Sequence, residues 1–114
     1  MGAITTHVLD ISRGQPAAYI PIALDRQNQN REWEPIGRGE TDADGRLRSL
    51  MPEDADLAPG IYRLTFDVAG YFSTHGVRAF YPVVTIVFET AEGELHYHVP
   101  LLLSPFGYST YRGS

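Results

Sequence analysis

The sequence contains no cysteine and no lysine. Without cysteine there are no disulfides, no thiolate-ligated zinc or iron–sulfur clusters, and no thiol nucleophile. Without lysine there is no Schiff-base amine and no Walker-type phosphate lysine. All nine cationic residues are arginines, and they form no basic run. With a formal net charge of -5, the chain is a poor nucleic-acid partner. No segment approaches the roughly 18 apolar residues that span a bilayer. The longest uncharged stretch near the C-terminus, Val99 to Tyr111, is broken by Pro100, Ser104, Pro105, Gly107 and Ser109. No membrane partner is expected. The first residues carry no basic region followed by an apolar one, so no secretory signal is read and a cytoplasmic location is expected. Met1-Gly2-Ala3-Ile4-Thr5-Thr6 satisfies the loose myristoylation pattern. It reads better as the approach to a strand, since no basic cluster supplies a second membrane signal.

What remains is a chain of 114 residues, 43% hydrophobic, enough for one domain over 1–114 with its own core. Short β-rich runs alternate with turn residues. Strands are expected over 4–11, 19–27, 33–41, 46–50, 60–67, 83–90, 95–103 and 107–111. Pro21 inside the second run suggests an edge strand or a bulge. Residues 68–76 could hold one short helix. The fold class is therefore all-β, an eight-stranded two-sheet sandwich with one short helix at most.

Alternation along a strand places His7 with Thr5 and Leu9 on one face. His96 and His98 share a face with Pro100 and Leu102, opposite an evident core face of Tyr97, Val99, Leu101 and Leu103. The histidine face is either solvated or lines a polar site, and the solvated reading comes first. A His-x-His pair with a third histidine could also ligate zinc, but the spacing is unspecific and no flanking carboxylate supports it. Asp42-Ala43-Asp44-Gly45 looks like the start of a calcium loop. The later ligand positions are Leu, Arg and Met, so it reads as a plain turn. No serine occupies a Gly-x-Ser-x-Gly elbow. His75 reads as a surface residue, and Asp10 and Arg13 as residues that fix the first turn.

Several motifs together are specific. Thr6-His7-Val8-Leu9-Asp10, Arg13-Gly14, Pro16-Ala17, Asp44-Gly45-Arg46-Leu47, Tyr97 to Pro105 and the final Tyr111-Arg112-Gly113-Ser114 resemble the enzyme branch of the transthyretin family, the 5-hydroxyisourate hydrolases. The resemblance runs from Ile4 to Ser114. It implies an eight-stranded sandwich and a homotetramer, a dimer of dimers with sites at the dimer–dimer interface. It implies 5-hydroxyisourate as the small-molecule substrate, with no metal and no cofactor. By the same resemblance His7, Arg46, His98 and Ser114 are catalytic. His7, Arg46, Ser109, Tyr111, Arg112 and Gly113 would bind substrate, and His96 stands outside the set. The family also contains hormone carriers on the same fold, so a non-catalytic ligand-binding protein is the alternative. The His7, Arg46, His98 and tail combination favours the enzyme branch.

The implied chemistry is attack of water on a ring carbonyl. Histidine is a natural base near neutral pH. A permanent cation at Arg46 would favour a neutral imidazole and stabilise the attacked oxygen. If the tail lines the site, additions after Ser114 should harm activity more than folding.

Overall fold

The computed structural model describes residues 3–114; the acylation-like pattern at Gly2 lies outside them. The strands are β1 (Ile4–Asp10), β2 (Gln15–Pro16), β3 (Pro21–Gln27), β4 (Trp33–Glu40), β5 (Arg46–Leu47), β6 (Gly60–Asp67), β7 (Val83–Thr90), β8 (Tyr97–Ser104) and β9 (Gly107–Thr110). One helix, α1 (Ala69–Thr74), follows β6. All eight expected strands are present, some trimmed at their ends. The ninth is β2, which the sequence presents as a turn. Gly14 at φ 65 closes a tight hairpin there, and the chain returns to pair Leu9 with Pro16 and Asp10 with Gln15.

One sheet runs β2-β1-β8-β9, with β5 also paired to β1; the other runs β4-β3-β6-β7. Strands β1 and β8 pair in parallel. Strand β3 is central, so the expectation of an edge position from Pro21 is overturned. Pro21 is the first residue of its strand, where a missing N–H is tolerated, and the pairing with β6 begins only at Ile22. The irregularity lies instead on the edge strand β4. Leu24 pairs with Gly37 and Asp25 with Pro35, leaving Ile36 as the extra residue of a bulge.

The core is the inner face of each sheet. Ile4 and Val8 of β1 and Val99, Leu101 and Leu103 of β8 meet Ile22, Leu24, Tyr62, Leu64, Phe66, Val84 and Ile86 of the opposite sheet. Each large side chain buried here contributes about 1.5–3 kcal/mol. This satisfies the inward half of β1 and β8 and leaves their other half free for a site.

The six-residue α1 has no side-chain N-cap and is too short to persist alone. It is held by burial of Tyr71 and Phe72 and by a hydrogen bond from Tyr71 Oη to Asp10 Oδ2 at 2.8 Å. Burial raises the Asp10 carboxyl, but donors from Ser12, Tyr71 and Arg13 outweigh it and hold the group below 3.8. Asp10 therefore anchors the turn and the helix. His75 is exposed, against the Tyr71 ring and within 3.4 Å of Arg13.

Candidate active site

The outer face of the β1, β5 and β8 region collects the polar residues. In the parallel ladder Thr5 lies opposite His98 and His7 opposite Pro100. On the other side of β1, His7 lies opposite Arg46. Residues in register share a face, so Thr5, His7, Arg46 and His98 stand together.

Local chemistry fixes Arg46. The Asp42 carboxylate accepts the backbone N–H of Asp44 at 2.9 Å and of Arg46 at 3.0 Å, closing the turn on itself. That carboxylate is thus a backbone cap, as the plain-turn reading expects. Gly45 adopts φ +76, and a Cβ there would run into the Val8 carbonyl oxygen. Only glycine lets the turn lie this close to β1, where the Gly45 carbonyl accepts the Val8 N–H at 2.7 Å.

The tail completes the arrangement. After β9 it pairs again with β8, through a bridge between His98 and Gly113 and a hydrogen bond from Gly113 N–H to the His98 carbonyl at 2.8 Å. A Cβ on Gly113 would sit 2.7 Å from His98 Cδ2 and 3.3 Å from Pro100 Cγ. The tail is therefore pressed on the histidine, and Ser114 reaches a cavity of about 200 Å³ lined by Thr5, Thr6, Arg46, Arg48, His96 and His98.

His98 is half-buried, and its Nδ1 lies 2.8 Å from Thr5 Oγ1. Burial, then the Arg46 guanidinium, then His7, His96 and Arg48, lower its pKa below 6.5, so the ring is neutral at pH 7. His7 turns aside: its Nε2 lies 2.8 Å from the Asp44 carbonyl oxygen. A carbonyl only accepts, so this nitrogen carries the proton. Among the described residues no group of three His, Asp or Glu side chains could hold a metal ion.

The remaining tail residues go elsewhere. Tyr111 and Arg112 line a separate groove with Val87, Phe88, Glu94 and Tyr97. Arg112 lies 4.3 Å from the Tyr97 ring centroid and 3.4 Å from a Glu94 carboxylate oxygen. Ser109 is opposite Leu102 on β8, outside the cavity lining.

Residues 4–113 match the model of the HIUase/transthyretin family. The chain belongs to that family. It is 45% identical over 118 residues to a 5-hydroxyisourate hydrolase of Ralstonia nicotianae, covering all of both proteins. Its fold matches the Klebsiella pneumoniae 5-hydroxyisourate hydrolase at a TM-score of 0.85 and 36% identity, covering all of both chains. It also matches sea bream transthyretin in complex with thyroxine, at a TM-score of 0.90 and 33% identity, over 97% of this chain and 94% of that one. Membership of the HIUase/transthyretin family thus settles the all-β sandwich and leaves the site to separate catalysis from carriage.

Within that family fold, four expected residues gather: Arg46, His98, Gly113 and Ser114 form or touch the cavity, with His7 beside it. Sequence reasoning left His96 outside the set and did not single out Thr5 or Arg48, and all three line the cavity. The signal for Thr5 was available, because it shares the outer face with His7. Thr6, by contrast, spends its hydroxyl on the Val99 carbonyl at 2.6 Å.

Proposed function

We propose that this protein hydrolyses 5-hydroxyisourate to 2-oxo-4-hydroxy-4-carboxy-5-ureidoimidazoline in urate degradation. The observation that carries the reading is a half-buried His98 lining one cavity with Arg46 and the tail, in a chain 45% identical to a protein named for this activity. His98 takes a proton from water as the water oxygen attacks the ring carbonyl carbon. The Arg46 guanidinium stabilises the charge that develops on the carbonyl oxygen, where a fixed cation in a partly dry site acts strongly. The carbon–nitrogen bond then breaks as the proton that His98 took from water passes to the leaving nitrogen, which restores the neutral base, and His7, tied to the Asp44 carbonyl, helps to orient the substrate beside it. Ser114 contacts the substrate at the cavity rim. Each step uses side chains of this chain.

The cavity is small for the task. Small-molecule sites usually occupy about 300–1,000 Å³ and bury most of the ligand. A single chain offers about 200 Å³ on an open sheet face. We infer that a second subunit closes it, in a homotetramer with sites between dimers. The outer face carries Pro100 and Leu102 beside the histidine, and β7 and β9 end their sheets with unpaired edges. Ser109, Tyr111 and Arg112 join substrate binding only through such packing.

The test generates 5-hydroxyisourate with urate oxidase and follows its ultraviolet decay. Acceleration that is lost in His98→Asn and Arg46→Gln supports the reading. Decay at the spontaneous rate with tight binding of an iodinated thyronine would favour a carrier, as in the sea bream complex.

A further inference from the structure

Thr5 is 2% exposed, and its hydroxyl touches two imidazoles: His98 Nδ1 at 2.8 Å and His96 Nε2 at 3.2 Å. A hydroxyl has one proton to give. It therefore donates to one ring and accepts from the other. A buried hydroxyl proton without an acceptor is costly, and these two nitrogens are the acceptors given to it among the described residues. A free histidine ring prefers its proton on Nε2. A ring that must act as a base from Nε2 needs an acceptor that holds the proton on Nδ1.

We propose that Thr5 is a positioning residue that holds His98 with its proton on Nδ1 and its lone pair on Nε2, and that His96 sets the direction of the Thr5 hydroxyl. The proposal rests on the hydrolase reading. Neutral His96 accepts the Thr5 O–H at Nε2, which leaves the oxygen lone pairs facing His98 Nδ1–H. Protonated His96 becomes a donor at the same nitrogen. The Thr5 proton must then turn toward His98 Nδ1, which moves the ring proton to Nε2 and removes the base. The exposed His96 thereby gates the half-buried ring from outside. The charged and titratable groups facing His98 are Arg46 and Arg48 from the β5 side, His7 on β1 and His96 just before β8, while the tail lays Gly113 and Ser114 on it. The two arginines do not titrate in the working range, so they bias His98 without adding a proton step.

The experiment compares the full chain with Thr5→Val, Thr5→Ser and His96→Gln, all checked for native mass and thermal midpoint. Thr5→Val keeps shape and removes the hydroxyl. It should lower kcat about tenfold or more with KM little changed, a modest share of what a positioned base supplies. Thr5→Ser should restore most of that. His96→Gln keeps an acceptor for the Thr5 hydroxyl but cannot turn it by taking up a proton, so the acid limb of its pH profile should be less steep than that of the native chain. Ring nitrogen-15 spectra without substrate should show neutral His98 protonated at Nδ1 in the native chain and shifted toward Nε2–H in Thr5→Val. Equal losses in Thr5→Val and Thr5→Ser would assign the effect to packing and overturn the proposal. So would a native kcat and pH profile in Thr5→Val, or a tautomer that ignores the substitution. If the native chain leaves 5-hydroxyisourate untouched, the hydrolase reading fails, and the nitrogen-15 pattern still decides whether Thr5 fixes the ring.

Discussion

At the scale of single residues, His98 ties stability to pH and, on the proposed mechanism, activity to the same proton. Its folded value lies below 6.5 because burial and then Arg46 oppose the imidazolium. As pH falls, the unfolded chain takes up this proton before the folded protein does. The contribution of His98 to stability is complete above about 6.5 and is lost as pH falls toward the folded value. Thermal midpoints measured from pH 8 to pH 5 should decline over that interval, and His98→Asn should flatten the decline. A variant that keeps the full slope would show that other groups carry it. The same displacement should place the acid limb of kcat/KM below 6.5. Arg46→Lys keeps a positive charge but replaces the planar fork with a single ammonium. It should cost about 10- to 100-fold in kcat, less than the roughly 100- to 1000-fold of losing an oxyanion donor outright because the charge remains, with little change in thermal midpoint, because Arg46 adds no core contact. Native turnover in that variant would reduce the role of Arg46 to charge alone.

At the scale of elements, the tail behaves as a strand that resumes after an interruption. Strand β9 pairs Leu101 with Thr110, and His98 with Gly113 continues that ladder beyond Tyr111 and Arg112. Gly113→Ala would put a Cβ 2.7 Å from the His98 ring, against side-chain atoms that cannot retreat far because Pro100 stands next to them. The substitution should lift the tail and lower kcat/KM by about 10- to 100-fold, the upper end being the loss that can follow a misplacement near 1 Å, while the core strands melt at nearly the native temperature. Deleting residues 111–114 should go further in activity and remain mild in stability; native turnover in that variant would remove the tail from the site. This element shows what the sequence could and could not reveal. The alternation of β8 made its two faces legible, and the strand ends were readable to within a few residues. The hairpin partner at Gln15–Pro16 was hidden, because two residues carry no period. The edge position read from Pro21 was misplaced, because proline at the first residue of a central strand leaves the same trace as one on an edge. The separation of Gly113 and Ser114 from Tyr111 and Arg112 was also hidden. Four consecutive residues of one motif look like one site until a ladder register divides them.

At the scale of the molecule, a site on the outside of a sheet raises the question of what keeps water off it. The inward side chains of β1 and β8 are given to the core, and the histidines stand on the opposite face. What can cover that face is a second surface. A cavity of about 200 Å³ lies below the usual range for a small-molecule site, whose walls enclose most of the ligand. Its neighbours on the face include the half-buried Leu102, a poor partner for bulk water and a good one for another apolar face. If assembly supplies the missing wall, turnover per chain must follow the assembled fraction. The chain is 12.7 kDa, and at micromolar concentration sedimentation should give about four times that mass. On dilution, specific activity should fall along the curve of dissociation into dimers, and substrate or a bound product should shift that curve to lower concentration by mass action. Loss of activity with intact secondary structure would separate this from unfolding, because the sandwich core lies within each chain. A constant specific activity across a range in which the mass falls to that of a single chain would mean that one copy of this outer face is the whole site. In that case His7, Arg46 and His98 would have to work at an open surface, where water screens Arg46 and the advantage of a fixed cation shrinks.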